Sequence, residues 1–216
     1  LATIIINPSY ASAEIRKEFY PSGKLKLEVN VVDGKREGIF KAYYENGKLK
    51  VDSNFKNDKA EGLQRGYYES GQLKIETNFK NDKVEGIFKK YYENGKLKEE
   101  TNVKNGKKEG VSKNYYESGK LEYEFNAKND KAEGVQRGYF ESGQLRIEWN
   151  SKNGKKEGLA KGYNKNGNLD VEMNYKNGNL EGLSKAYDDS GVIAFIDTYK
   201  NGKKNGISRK YYTSGE

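Results

Sequence analysis

The chain contains neither cysteine nor histidine among its 216 residues. These absences exclude disulfide bonds, thiolate chemistry, Cys/His zinc sites, Cys–His nucleophiles and Ser–His–Asp triads. No apolar run approaches the roughly 18 residues that a membrane-spanning helix requires. Hydrophobic residues make up only 33% of the chain, whereas a compact globular domain uses roughly 45–50%. We therefore do not expect a single domain built around a thick hydrophobic core.

Glycine, in contrast, is abundant and strictly periodic. Nine glycines from Gly23 to Gly215 recur every 24 residues, and a second series of eight with the same period starts at Gly38. A disordered sequence does not keep such a phase, so the period indicates a folded repeat array. Residues 56–78 also match residues 128–150 at 19 of 23 positions, which indicates that a block of three repeats was duplicated.

Two kinds of turn alternate within each repeat. Glu45-Asn46-Gly47 represents one kind and Lys56-Asn57-Asp58 the other, and Asn-Gly and Asp-Gly supply the positive φ angles that tight hairpins need. The segments between turns alternate at period two, as in residues 48–56, which is typical of a strand. The sequence predicts an all-β fold: an elongated single-layer antiparallel β-hairpin array of 24-residue repeats with about 17 strands.

Three ladders of equivalent positions are predicted to form a thin buried face. They are an aromatic ladder that starts at Phe19, a mostly leucine ladder that starts at Leu25, and an aliphatic ladder. The aliphatic ladder consists of Ile15, Ile39, Leu63, Ile87, Val111, Val135, Leu159, Leu183 and Ile207.

Two further ladders supply candidate binding residues. A second aromatic ladder lapses to Asn164 and Asp188, which is not the behaviour of a dry core position, so its tyrosines could form a contact surface. An ordinary half-exposed cross-strand stripe is the alternative. An unbroken basic ladder faces a row of acids, and a solvated, mutually neutralising sheet face is its alternative. The candidates are Tyr44, Tyr68, Tyr92, Tyr116 and Phe140, with Lys41, Arg65, Lys89, Lys113 and Arg137.

The N-terminal stretch differs from the repeats. It begins with Leu1 rather than Met, is apolar, carries no charge before Glu14, and reaches the tripeptide Ala11-Ser12-Ala13, a pattern like the end of a secretory signal peptide. We expect residues 1–13 to be a signal-peptide remnant or an N-terminal arm, and residues 14–216 to be the repeat domain. This expectation favours an extracytoplasmic location: secreted, periplasmic or on the cell surface.

The unit at residues 109–121, EGVSKNYYESGKL, followed by the next Asn-Asp turn, resembles the MORN-repeat variant family. The resemblance covers residues 15–216 as eight units and a partial ninth. It implies a β-hairpin array with an interaction role and no catalytic residues. Bacterial members are often labelled antitoxin-like, and others are secreted or surface-associated. Eukaryotic MORN units are richer in Trp, and this chain has only Trp149. The resemblance therefore gives only weak support for the lipid binding that has been proposed for MORN arrays.

Three functions remain open at this point. The first is a secreted or surface-associated, non-enzymatic scaffold that binds a protein or cell-surface partner. The second is binding of a polyanion, such as anionic lipid or glycan, because the net charge is +8. The third is an antitoxin-like inhibitor. No enzyme activity, cofactor, metal or specific nucleic acid is expected, and the edge at Tyr211–Glu216 could permit end-to-end self-association.

Overall fold

The computed structural model describes residues 12–212. The predicted N-terminal arm up to residue 11 and the last four residues of the predicted C-terminal edge lie outside this range. Contacts between Cα atoms divide the chain into two units, residues 1–85 with 93–95 and residues 86–92 with 96–216. Each unit is an antiparallel sheet of successive hairpins, so the predicted all-β hairpin array is confirmed.

The strands of the two units follow one plan. The first unit contains β1 Ala13–Phe19, β2 Leu25–Val32, β3 Lys35–Tyr43, β4 Leu49–Lys56, β5 Lys59–Ala60, β6 Gly62–Tyr67, β7 Leu73–Lys80 and β8 Lys83–Val84. The second unit contains β9 Gly86–Tyr91, β10 Leu97–Lys104, β11 Lys107–Tyr115, β12 Leu121–Lys128, β13 Lys131–Ala132, β14 Gly134–Tyr139, β15 Leu145–Lys152, β16 Lys155–Lys156, β17 Gly158–Tyr163, β18 Leu169–Lys176, β19 Asn179–Tyr187, β20 Ile193–Lys200, β21 Lys203–Lys204 and β22 Arg209–Lys210.

The two predicted turn types are present in every repeat of the described range. Asn57 and Asp58 have φ angles of 49° and 66°, the paired positive values of a type I′ hairpin. At the other end of the hairpin, the Gly47 N–H donates to the Tyr44 carbonyl at 2.9 Å and Gly47 has a φ of 86°. This second geometry is a type I turn closed by a glycine in the left-handed region.

A β-bulge interrupts one strand of each repeat at the recurring Glu-Gly dipeptide. Glu61 donates its N–H to the Asn54 carbonyl at 2.9 Å, and Gly62 follows with a φ of 79°, which a residue with a Cβ rarely adopts. Bulges of this kind split five of the seventeen predicted strands into two pieces. The 22 strands of the structure therefore agree with the predicted number.

The prediction of a buried face is wrong for the aliphatic ladder, whereas the leucine ladder and most of the first aromatic ladder are half-buried. The strand register places Lys41 opposite Asp52 and Phe40 opposite Ser53, and these two pairs define what we call the charged face and the core face of each hairpin. The aliphatic ladder lies on the charged face and is exposed, whereas the buried residues lie on the core face. Those buried residues are Val29, Val31, Ser53, Ala60, Thr77, Thr101, Ser112, Ala127, Gln136, Ser151 and Ala160.

Close approach on the core face explains this choice of small residues. A Cβ added at Gly162 would lie 2.7 Å from Cγ1 of Val171, and one at Gly138 would lie 3.0 Å from Cγ2 of Ile147. The sequence prediction assigned burial by residue type, whereas the sheet buries the positions where its neighbours meet.

Candidate interaction surface

The second aromatic ladder, predicted as a contact surface, links successive repeats. The Tyr44 hydroxyl donates to the Tyr67 carbonyl at 2.7 Å, Tyr92 donates to Tyr115 at 2.7 Å, and Tyr116 donates to Tyr139 at 2.8 Å. All five predicted residues of this ladder, including Tyr68 and Phe140, are half-buried. The polar tips of these three tyrosines are therefore occupied within the fold.

Lysines lie beside the rings of the same ladder. The Nζ atoms of Lys50, Lys74 and Lys98 lie 5.4, 5.2 and 4.9 Å from the ring centroids of Tyr44, Tyr68 and Tyr92, within the range of a cation–π contact. The outer side of the ladder is thus covered in part by lysine side chains rather than open to a partner.

The predicted basic ladder runs along the charged face, opposite the acids that the sequence analysis noted. Nε of Arg65 lies 2.8 Å from Glu76 and Nε of Arg137 lies 2.6 Å from Glu148. The hydrogen bonds that both arginines donate to these carboxylates raise the pKa of each guanidinium above its ordinary value.

The lysines of this ladder have acidic neighbours as well. Nζ of Lys89 lies 3.8 Å from Glu100 and Nζ of Lys113 lies 3.8 Å from Glu124, and Lys41 is paired in register with Asp52. Acid and base alternate from strand to strand, so opposite charges offset each other along this row.

The first aromatic ladder contributes to the same face. The Tyr43 hydroxyl donates to Oε1 of Glu28 at 2.9 Å, and the Tyr187 hydroxyl donates to Oε2 of Glu172 at 2.8 Å. Burial, followed by the hydrogen bond to the neighbouring glutamate, raises the pKa of each tyrosine. Both tyrosine side chains are half-buried, and they pack on the charged face with their hydroxyls bonded to its acids.

The aliphatic ladder is the most exposed apolar feature of the charged face. Its nine members are between 36% and 69% exposed. Successive members lie two strands apart. The strand between them carries an asparagine opposite the aliphatic residue, as where Val135 is paired with Asn150. We call the row that these members form within each unit the aliphatic stripe.

The asparagines beside the stripe hold the bulges in place. Nδ2 of Asn102 donates to the Val111 carbonyl at 2.9 Å, and Nδ2 of Asn126 donates to the Val135 carbonyl at 3.0 Å. The bulge glutamates have a related role, because Oε2 of Glu133 accepts the Asn153 N–H at 2.8 Å. Sequence reasoning missed both roles, although an isolated Gly in a strand after Glu is a signal for a bulge.

Residues 12–212 contain no cluster of metal-ligating side chains. Within this range no three Asp or Glu side chains converge on a common point. The same residues form no helix long and apolar enough to cross a bilayer.

The fold and these repeat-to-repeat contacts define a protein of the antiparallel β-hairpin repeat class. The family model for the MORN repeat variant matches eight consecutive segments, residues 15–33, 36–57, 60–81, 84–105, 108–129, 132–153, 156–177 and 180–201. The chain belongs to the MORN repeat variant family. No curated protein matches it significantly.

Proposed function

We propose that the protein is a non-enzymatic scaffold that binds a protein partner through the aliphatic stripe. The observation that supports this proposal is the exposure of an aliphatic side chain at the same charged-face position of every repeat. Exposed apolar groups that lie in a row bordered by polar residues are typical of interaction sites. The basic ladder and its paired acids lie beside the stripe and would form a polar rim. Because their charges nearly cancel, this rim would repel neither an acidic nor a basic partner.

The asparagine bonds add to this argument. Because amides beside the stripe bond to the carbonyls of Val111 and Val135, the backbone that carries these side chains is fixed before a partner arrives. A preorganised surface loses less conformational entropy on binding. Candidate contacts are therefore the aliphatic side chains, and the tyrosine and basic ladders predicted from sequence remain secondary candidates.

A photo-crosslinking residue placed at Leu159 should capture the partner, which can then be purified and its affinity measured. The test variant carries Val111→Thr, Val135→Thr and Leu159→Thr, because threonine keeps the strand preference while it removes apolar area. We expect affinity to fall by about tenfold or more, at about 25 cal/mol per Å² of apolar surface lost from the interface. A variant with Ser118→Ala, Ser142→Ala and Asn166→Ala at the type I turns is the control.

Unchanged affinity in the threonine variant would remove the stripe from the proposal. In that case a Tyr44/Tyr68/Tyr92/Tyr116→Ser variant tests the second aromatic ladder, and reduced capture by it would point to that ladder instead. Both variants need a matching circular dichroism spectrum, so that loss of folding is not read as loss of contact.

The proposed location is outside the cytoplasm, in line with the apolar segment that precedes Glu14. Fractionation of the native source, with the mass of the mature N-terminus, tests this part. A cytoplasmic protein that retains the segment before Glu14 would favour the antitoxin-like alternative.

A further inference from the structure

Paired lysines flank most of the type I′ turns. In six hairpins two lysines occupy directly opposite positions next to the turn, and all twelve are exposed. The pairs are Lys56–Lys59, Lys80–Lys83, Lys104–Lys107, Lys128–Lys131, Lys152–Lys155 and Lys200–Lys203.

This arrangement is unfavourable for stability. Like charges directly opposite each other on neighbouring strands destabilise a sheet. In the described part of the chain none of these twelve lysines forms an ion pair with a carboxylate, in contrast to the basic ladder of the charged face. A repeated positive charge that the fold does not neutralise calls for a ligand of negative charge.

Open notches lie between successive type I′ turns of the second unit. One has a volume of about 270 Å³ and the next about 330 Å³. Each is lined by two lysines, two turn asparagines and the bulge glutamate. The first is lined by Lys128, Asn129, Lys131, Glu133 and Asn153, and the second by Lys152, Asn153, Lys155, Glu157 and Asn177.

The glutamate in each notch is already engaged. Oε2 of Glu133 accepts the Asn153 N–H, and Oε2 of Glu157 accepts the Asn177 N–H, both at 2.8 Å. The two lysine ammonium groups outnumber this carboxylate, so the lining of each notch keeps a net positive charge. A carboxylate, sulfate or phosphate group can accept charge-assisted hydrogen bonds from two such ammonium donors.

The two notches have the same lining charges, two lysines and one glutamate, and Asp130 lines neither of them. The first turn contains Asp130, whereas the corresponding residue in the second is Gly154. Oδ1 of Asp130 accepts the Lys108 N–H at 2.8 Å. Asp130 thus contacts the preceding repeat, and we expect the two notches to bind an anion with similar strength.

The notches recur at the spacing of one hairpin, which is about 10 Å for two strands. An extended polysaccharide with one acidic group per disaccharide places its charges at a similar interval. Single-stranded nucleic acid fits less well, because such sites stack bases on aromatic side chains and no aromatic residue lines either notch. We propose that the type I′ turn edge of residues 128–177 binds an extended acidic polysaccharide, with one acidic group in each notch.

The test uses hyaluronan fragments, which carry one carboxylate per disaccharide, at low ionic strength. The edge variant carries Lys128→Gln, Lys131→Gln, Lys152→Gln and Lys155→Gln. The control variant removes four exposed lysines at or near the type I turns, Lys24→Gln, Lys98→Gln, Lys120→Gln and Lys165→Gln, so both lose the same charge. We expect a long fragment to bind the edge variant about tenfold or more weakly, and the control within about twofold, because adjacent notches act together.

Three further measurements sharpen the result. A disaccharide should bind more weakly than a tetrasaccharide, since its single carboxylate can fill only one of the two notches. The edge variant should be as stable as the wild type or more so, because the lysine repulsion is removed. The threonine variant of the aliphatic stripe should keep its affinity for hyaluronan, so this proposal and the scaffold proposal can fail separately.

The proposal is overturned if the wild type does not bind hyaluronan, or if both glutamine variants lose affinity equally. Tighter binding of phosphatidylserine vesicles or of oligo-dT at the same ionic strength would also overturn it, in favour of a membrane or a nucleic acid.

Discussion

Residues 56–78 and 128–150 have nearly the same sequence but different surroundings. They match at 19 of 23 positions, and we call them the first block and the second block. The four differences are Leu63 against Val135, Tyr68 against Phe140, Lys74 against Arg146, and Thr77 against Trp149.

The preceding strand accounts for the different environments. In β4 the residue paired with Gly66 is Val51, whereas in β12 the residue paired with Gly138 is Tyr123. A Cβ at Gly66 would lie 3.9 Å from the nearest atoms, whereas one at Gly138 would lie 3.0 Å from both Tyr123 and Ile147. The same local sequence is thus packed loosely in one block and tightly in the other, and the neighbouring repeat decides which.

The largest expected effect comes from the only tryptophan. Trp149 makes an edge contact with Tyr123 at a centroid distance of 6.4 Å, and Lys156 lies 5.0 Å from its ring. Trp149→Thr, which gives the second block the residue of the first, should lower the free energy of unfolding by about 3 kcal/mol. Urea unfolding followed by circular dichroism measures this loss.

Thr77→Val is the matched change in the first block. Thr77 is 4% exposed and its hydroxyl has no hydrogen-bond partner, so this variant should be neutral or more stable. A loss as large as that of Trp149→Thr would contradict the packing difference between the blocks.

A methyl group on the paired glycines tests the same difference directly. Gly138→Ala should destabilise the protein by about 2 kcal/mol, because the new Cβ meets Tyr123 and Ile147. Gly66→Ala should change stability by less than about 1 kcal/mol, since its Cβ finds ordinary contact distances. Thermal melts of the two variants give the comparison, and equal shifts would mean that the two sites pack alike.

Replacement of the equivalent glutamines of the two blocks should change stability by different amounts, because their side-chain hydrogen bonds differ. Gln136 is 1% exposed, and its Nε2 donates to the carbonyls of Asn126, Gly134 and Glu133 at 3.1, 3.1 and 3.4 Å. Gln136→Leu should cost about 1.5 kcal/mol, because it removes these buried hydrogen bonds. Gln64 is half-buried with a single long contact of 3.5 Å to Ser53, so denaturant unfolding of Gln64→Leu should show a smaller loss.

Removal of one hydroxyl from the second aromatic ladder should have a smaller effect. Tyr116→Phe removes the 2.8 Å bond to the Tyr139 carbonyl and should cost about 1 kcal/mol. Phe140 already lacks this hydroxyl, so Phe140→Ala should alter stability through packing alone and not through a repeat-to-repeat hydrogen bond. Hydrogen exchange at the β14–β15 hairpin compares the two, and unchanged protection in Tyr116→Phe would show that the bond adds nothing.

The smallest expected effect depends on pH. The Arg36 N–H, and then its guanidinium, hold the pKa of Asp58 below its ordinary value. A carboxyl whose pKa is lower in the folded state stabilises the fold above its unfolded pKa of about 4, and this contribution disappears as the pH falls through the folded pKa. Asp58→Asn should therefore lose stability at pH 7 but not at pH 2, as measured by urea titration at both values.

The local features of the fold could be predicted from sequence. Asn57 and Asp58 specify a type I′ turn by their backbone preferences, and Lys41 falls opposite Asp52 because period two and turn length together fix the register. These features depend on neighbouring residues in the chain, which the sequence displays. The number of strands and the repeat family were accessible for the same reason.

The side of the sheet that is buried could not be predicted in this way. Ile39 has a strongly apolar side chain, yet it is exposed while Ser53 is buried, because burial depends on how closely neighbouring hairpins approach. The role of Tyr116 was equally hidden, since its partner is a backbone carbonyl that has no signature in the sequence.

The junction between consecutive repeats uses the same few groups throughout much of the chain. The bulge glutamate accepts a turn N–H twenty residues on, as in Glu37 with Asn57 and Glu157 with Asn177. Because each bulge glutamate can accept the turn N–H of whichever repeat follows, a recombination event that adds or removes whole repeats leaves this donor and acceptor paired at the new junction. Unequal crossing-over could thus have copied the ancestor of the two blocks while the bond from the turn N–H to the bulge glutamate was preserved at the new junction.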